Sequence, residues 1–341
     1  MVAMVPFKIN LDYEASLFDP NYLESSSASH KIIREFEYIY FIVQKEKSII
    51  KNFKGYEEKY LNSLRGMGFV IPTFAPKATL YEYWWGSHHN RELEQKLNSK
   101  LTSVIVAQEN NWGFQEGAIV ENMEQLKSHL NKNPYREKWI LKNAHGFSGI
   151  GHFQFSSSSL DELEKNIVLK CKNEKLLLEP YYERMFDIGT TFVINMGVVE
   201  SKFMVENFNS PSGRFSGGVG ARDANVFKEY IFKKYSYSLN ELELITDKIA
   251  KCYLNMGAQC NVQIDSFVYK ENGKLKLYSL VEVNYRKTMG LVIQALCETF
   301  KITNLIEWRI ESAKHNFTSA GWTKISPEGN HFHSYFKEVK S

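Results

Sequence analysis

Asn272-Gly273 lies between two runs rich in β-branched and aromatic residues, Asn261 to Tyr269 before it and Lys274 to Asn284 after it. Asn-Gly is the strongest short-range hairpin signal, because both residues accept the positive φ of a type I′ turn. Fixing the turn fixes the register, and the register decides which side chains share a face. With those two residues as the loop, Glu271 faces Lys274, Asp265 faces Leu280 and Gln263 faces Glu282. Asp265 and Glu282 then become diagonal neighbours with Cβ atoms about 7–8 Å apart, and Asn284 shares their face. Oxygen donors converging in this way suit a hard cation such as Mg²⁺, held by a few carboxylates plus substrate phosphates. A solvated face of an antiparallel sheet is the alternative.

A chain of 341 residues can bury a sizeable core and accommodates two or three domains, at about 100–200 residues each. Its 43% hydrophobic and 24% charged residues are ordinary for a soluble globular protein. The net charge of +3 is spread along the chain, which gives no electrostatic footprint for nucleic acid. No apolar run reaches the length of a membrane span, and the first residues lack the order of a signal peptide. Cys171, Cys252, Cys260 and Cys297 form no C-x-x-C and no disulfide-like spacing. They read as free thiols of a reducing compartment, so the expectation is a cytoplasmic protein with no nucleic-acid or membrane partner.

The first hundred residues suggest a small α/β unit. Glu37 to Val43 reads as a buried strand, Gly55 to Arg65 as a helix, and Phe69 to Ile71 as a second strand. That order favours a parallel pair. Tyr81 to Gly86 is too aromatic for a casual loop and suits packed core or a domain interface. Asn98 can cap a helix from Ser99, and Glu121 to Leu130 is amphipathic. Trp139 to Lys142 reads as a strand, Gly151 to Phe155 as another, and Asp161 onward as a helix start.

Three further segments offer chemistry. Lys142-Asn-Ala-His145-Gly146-Phe-Ser148-Gly149-Ile-Gly151 joins two strands. Glycines let backbone N–H groups approach an anion closely, and a lysine at the strand end supplies a charge for phosphate. The loop is neither a P-loop nor a dinucleotide fingerprint, and a glycine-rich hairpin without a ligand is the alternative. Lys175 to Glu179 is an apolar strand that runs through Pro180-Tyr181-Tyr182 to Asp187 and a new β-branched strand. Such a hinge can meet an adenine edge and ribose hydroxyls; ordinary surface acids are the alternative. Glu206 to Asp223 holds four glycines, one proline, Arg214 and Arg222. It reads as a mobile loop whose arginines could grip anions or be merely solvated.

Taken in order, these pieces resemble the ATP-grasp superfamily of carboxylate–amine or carboxylate–thiol ligases. The resemblance rests on Lys142 with its glycine loop, the hinge Glu179 to Asp187, Asp265, and Glu282-Val-Asn284, with Asn98-Ser-Lys100 as an opening motif. It covers roughly residues 98 to 310. It implies an α/β chain in lobes: a small N-terminal pre-ATP-grasp domain over 1–97, an ATP-grasp N-lobe over 98–195, and a C-lobe with the metal hairpin over 196–341.

The resemblance also implies roles. Lys100 and Lys142 would contact the phosphates of ATP, with the loop of His145, Gly146, Ser148 and Gly149 closing over them. Glu179 and the backbone of Tyr181 and Tyr182 would meet adenine, and Asp187 the ribose. Asp265, Glu282 and Asn284 would hold two Mg²⁺ ions, with Mn²⁺ as an alternative. Arg286 would sit near the transferring phosphoryl group and the substrate carboxylate, and Arg222 would assist catalysis. His145 and Tyr285 depart from the residues usual at their positions. The implied reaction activates a small-molecule or short-peptide carboxylate as an acyl phosphate, then joins it to an amine with release of ADP and phosphate. A small-molecule kinase and a non-catalytic ATP-binding regulator are the competing readings, and a homodimer is the commonest assembly for such a chain.

Overall fold

A computed structural model of the chain describes residues 4–19, 21–22, 32–51, 55–144, 152–159, 175–210, 213–314, 317, 320–329 and 331–340. The glycine-loop residues His145, Gly146, Ser148, Gly149 and Gly151 lie outside these, as does the helix start expected at Asp161.

The N-terminal unit is a four-stranded parallel sheet, ordered β3-β2-β1-β4, from β1 (Phe7–Lys8), β2 (Ile49–Ile50), β3 (Thr73–Phe74) and β4 (Glu82–Tyr83). Helices α1 (Tyr13–Phe18), α2 (Ile39–Val43) and α3 (Glu58–Gly66) accompany it. The parallel order holds, but its strands are not those the sequence suggested. Glu37 to Val43 contains α2, and Phe69 to Ile71 is no strand. Ile39, Tyr40, Phe41 and Ile42 are all buried. A helix buried on every side carries no amphipathic period, so a short apolar run cannot be told from a strand by spacing.

Helices α4 (Arg91–Asn98) and α5 (Lys100–Asn110) follow. Ser99, not Asn98, caps α5, its Oγ accepting from the Leu101 N–H at 3.2 Å. Asn98 instead clips the end of the long hairpin, accepting from the Tyr285 N–H at 2.9 Å.

A second sheet, ordered β5-β8-β6-β7, comprises β5 (Ala118–Val120), β6 (Lys138–Asn143), β7 (Phe153–Ser156) and β8 (Leu176–Pro180). Helix α6 (Met123–Lys132) covers one face, where Leu126, Trp139, Leu141, Phe155, Leu176 and Leu178 form a core. Alternation along β6 and β8 then sends Ile140, Lys142, Leu177 and Glu179 to the other face.

The third sheet has eight strands, ordered β13-β12-β9-β10-β11-β14-β16-β15. Its strands are β9 (Arg184–Asn195), β10 (Val198–Asn209), β11 (Phe215–Ala221), β12 (Val262–Glu271), β13 (Lys274–Tyr285), β14 (Leu305–Ser312), β15 (Thr323–Lys324) and β16 (Phe332–Val339). Helices α7 (Ala224–Tyr235) and α8 (Asn240–Asn255) pack on one face, against Ile188, Met204, Val262 and Ile264 among others. Helix α9 (Gly290–Thr299) packs on the opposite face and shares a core with α2 and the N-terminal sheet.

Much of the segment expected as a mobile loop is strand β11. Its glycines serve close packing. A Cβ at Gly217, where φ is +133°, would run into the Trp308 carbonyl oxygen, and one at Gly218 would lie 2.5 Å from that of Glu206. Gly218 and Gly220 also leave room for Ile293 of α9.

Candidate functional site

The Asn272-Gly273 turn forms as expected, with φ of +52° and +77°. The ladder from Glu271–Lys274 to Phe267–Tyr278 follows the expected register. Beyond it the register shifts, because Ser266 alone stands against Ser279, Leu280 and Val281. Ser266 Oγ donates to the Ser279 carbonyl at 2.6 Å, and the Leu280 N–H is turned aside to the Trp112 carbonyl at 3.1 Å. Asp265 therefore pairs directly with Glu282, and Gln263 with Asn284. This corrects the diagonal arrangement and brings the two Cβ atoms to about 4.5–5.5 Å. Two extra residues, unlike one, preserve the alternation of faces, so Asp265, Glu282 and Asn284 still share a side.

The neighbouring strands extend this side into a polar floor. Asp265 pairs with Gly189, Gln263 with Thr191 and Phe267 with Asp187. A Cβ at Gly189 would lie 3.0 Å from the Asn207 amide and 3.1 Å from that of Gln263, so glycine lets both side chains lie across the strand. Gln263 donates to Asp265 Oδ1 at 2.7 Å, Asn284 donates to Asp265 Oδ2 at 2.8 Å, and Thr191 donates to Gln263 at 3.1 Å. Asp187 accepts from Arg184 at 2.7 Å and from Asn209 at 3.2 Å.

Two lysines reach the site from other elements. Lys100, the first residue of α5, forms an ion pair with Glu282. Lys142 donates to Glu179 Oε2 at 2.9 Å, both side chains being 4% exposed. Tyr278 also donates to Glu179, at 3.4 Å, while accepting from the Phe114 N–H at 2.9 Å. Burial and the Glu179 charge raise the Tyr278 hydroxyl well above its ordinary range, so it stays a proton donor.

Charge is unevenly balanced on this floor. Burial, and then the Glu282 charge, raise the Asp265 carboxyl to about 7. Burial also opposes ionisation of Glu282, but Lys100, with Lys142 and His152 behind it, holds that group at about 2. Burial followed by Lys142 and Lys100 pushes His152 down to about 4, so it is a neutral imidazole beside two ammonium groups.

Sequence reasoning did not assign His152 or Gln263. The available signal for His152 was hairpin closure: Leu141 pairs with Phe153, so the residue after the glycine loop returns opposite Lys142. Tyr182 packs with Tyr269 and Tyr278 at centroid distances of 4.3 and 5.7 Å. Tyr181 is exposed, and its N–H is spent on the Lys138 carbonyl at 2.9 Å.

Arg286 lies at the rim. It forms an ion pair with Glu14 of α1, donates to Asn284 Oδ1 at 3.1 Å and stacks over Trp85 at 5.5 Å. The Lys287 N–H donates to the Trp85 carbonyl at 3.0 Å, which ties the aromatic segment to this strand end. Trp84 and Trp85 are buried, so the segment is packed interface. Arg222 is not brought to this group. It follows β11, three strands from β12 or roughly 14 Å at the usual spacing, and lies beside Lys45 and Cys297. Arg214 is exposed in the β10–β11 turn.

Two antiparallel sheets facing one polar crevice, behind a small parallel N-terminal sheet, define the ATP-grasp fold, and this chain has it. The chain is similar to N5-carboxyaminoimidazole synthetase from Staphylococcus aureus complexed with ADP, at 11% identity and a TM-score of 0.53, over 99% of this chain and 94% of that one. It is similar to the Aspergillus clavatus N5-carboxyaminoimidazole synthase in complex with ADP and 5-aminoimidazole ribonucleotide, at 10% identity and a TM-score of 0.51, over 99% and 95%. A biotin carboxylase complex with β,γ-ATP from Campylobacter jejuni matches at 12% identity and a TM-score of 0.52, over 92% and 76%. The likeness is one of fold. No family model matches the chain, and no curated protein does. No helix among the described residues is long and apolar enough to cross a membrane.

Proposed function

We propose that this chain is an ATP- and Mg²⁺-dependent ligase that activates a carboxylate as an acyl phosphate and joins it to an amine. The observation that carries the reading is the pair of lysines, Lys100 and Lys142, each held by a carboxylate in one crevice that also presents Asp265 and Asn284. Structures of the same fold hold ADP.

The residues present fit a divalent cation. Their donors are all oxygen, and an ammonium already stands on Glu282 where a metal would neutralise it. Burial and Glu282 resist the ionisation of Asp265 more than Gln263 and Arg286 favour it, so a cation there would relieve it. Asp265, Glu282 and Asn284 would hold Mg²⁺, which would supply charge neutralisation for the phosphates of ATP. Lys100 and Lys142 exchange carboxylate for phosphate as ATP enters. Glu179, released from Lys142, accepts from the adenine amino group, and Asp187 accepts from a ribose hydroxyl. Arg286 orients the substrate carboxylate.

A carboxylate oxygen attacks the γ-phosphorus, the bond to the β–γ bridging oxygen breaks, and ADP leaves with that electron pair. The amine then attacks the acyl carbon, phosphate departs with the C–O bond pair, and the amine proton passes to solvent. Such chemistry asks for positioning and charge neutralisation more than covalent participation.

The test is mass spectrometry of a dialysed cell extract incubated with ATP, Mg²⁺ and either the protein or Glu282→Ala. A Glu282-dependent product equal to two metabolites minus water, formed with ADP, is expected. A product heavier by one phosphoryl group would make the protein a kinase instead.

A further inference from the structure

The ion pair between Glu14 and Arg286 joins the N-terminal unit to the end of the metal-face strand. Both side chains are largely enclosed, at 12% and 15% exposure. The pair is connected to the polar floor through Asn284, which accepts from Arg286 and donates to Asp265. Its surroundings are fixed. Tyr13, beside Glu14, donates to the buried Glu94 at 2.9 Å. Glu94 also accepts from the backbone N–H groups of His88, His89 and Asn90. Asn10 accepts from the Trp85 N–H and donates to the Gly86 carbonyl, both at 2.8 Å. Glu14 and Arg286 are thus presented on a braced frame rather than on loose side chains.

A lone carboxylate arriving at Arg286 would displace Glu14 and leave an enclosed negative charge uncompensated. A lone ammonium arriving at Glu14 would strand Arg286 in the same way. Breaking an enclosed pair from one side is strongly unfavourable, whereas a ligand bearing both charges replaces one pair by two. The internal pair is in direct contact, so the incoming charges must also be adjacent, as they are when one carbon separates them.

We propose that the acid this site activates is an α-amino acid, bound as its zwitterion with its carboxylate on Arg286 and its ammonium on Glu14. The inference rests on the ligase reading above, since it takes Arg286 to hold the carboxylate that receives the phosphoryl group. Glu14 then sets specificity: it rejects simple carboxylic acids by its charge and places the ammonium away from the attacking oxygen. Trp85 lies against the guanidinium, its ring centroid 5.5 Å away, and holds Arg286 in place.

The test is calorimetric titration of the full chain, saturated with Mg²⁺ and a non-hydrolysable ATP analogue. The probes are the proteinogenic amino acids in L and D forms, each against its des-amino acid (alanine against propionate, for instance). At least one amino acid is expected to bind more than about tenfold tighter than its des-amino partner. Glu14→Gln should abolish that preference while leaving the ATP analogue's affinity unchanged, and Glu14→Asp should restore part of it. Equal binding of an amino acid and its des-amino partner, binding of no amino acid, or a preference that survives Glu14→Gln would each overturn the proposal. Failure of the wild-type chain to bind the ATP analogue would instead overturn the ligase reading itself.

Discussion

At the scale of single residues, the site is a set of charges already balanced against one another. Asp265 is the exception, with its carboxyl raised to about 7 from an ordinary 3.8 by burial and by Glu282. A raised carboxyl favours the folded state while protonated, so its contribution is complete below about pH 3.8 and lost as pH rises through 7. Without metal, wild-type thermal stability should therefore fall between about pH 4 and 7 relative to Asp265→Asn and level off above that, as melting curves in a chelator would show. Parallel profiles would place Asp265 outside the charge cluster. Lys100 gives a companion prediction. Replacing it by Met leaves Glu282 without its ammonium, so Mn²⁺ alone should bind about tenfold tighter, or ~1.4 kcal/mol, read by electron paramagnetic resonance. Unchanged Mn²⁺ affinity would mean that Lys100 does not stand in the cation's place.

At the scale of elements, what was legible followed from local rules. The Asn272-Gly273 turn and the shared face of Asp265, Glu282 and Asn284 could be read because strand alternation and turn chemistry are both local. The register shift at Ser266 could not, since its cause is Trp112, a distant residue whose carbonyl captures the Leu280 N–H. Helix α2 was misread as strand because burial on all sides erases the helical period. The glycines of β11 were misread as mobility because the sequence does not show that Trp308, Glu206 and Ile293 crowd them. Gly217→Ala should accordingly destabilise the chain by about 1–3 kcal/mol through overpacking, in addition to strain at positive φ. Urea denaturation checks this, and a wild-type midpoint would show that β11 can move away from β14.

For the whole molecule, the site depends on contacts between units that no single segment encodes. Arg136, ahead of β6, donates to Glu116 at 2.5 and 2.9 Å and to Glu271 at the tip of β12 at 2.6 Å, clasping the second sheet to the third. Tyr278 bridges the same two units through Phe114 and Glu179, and Glu14 brings in the first. Sequence order could suggest which motifs belong together. It did not show that Arg222 lies across three strands from β12, or that the N-terminal unit supplies an acid to Arg286. On the proposed function, the crevice between the second and third sheets binds Mg·ATP through Lys142. Calorimetric titration of a non-hydrolysable ATP analogue with Mg²⁺ into the wild type and Lys142→Ala tests it most directly. One site per chain is expected in the wild type and at least about tenfold weaker binding in the variant, from loss of a charge-assisted phosphate contact. No binding by the wild type, or equal binding by both proteins, would contradict it.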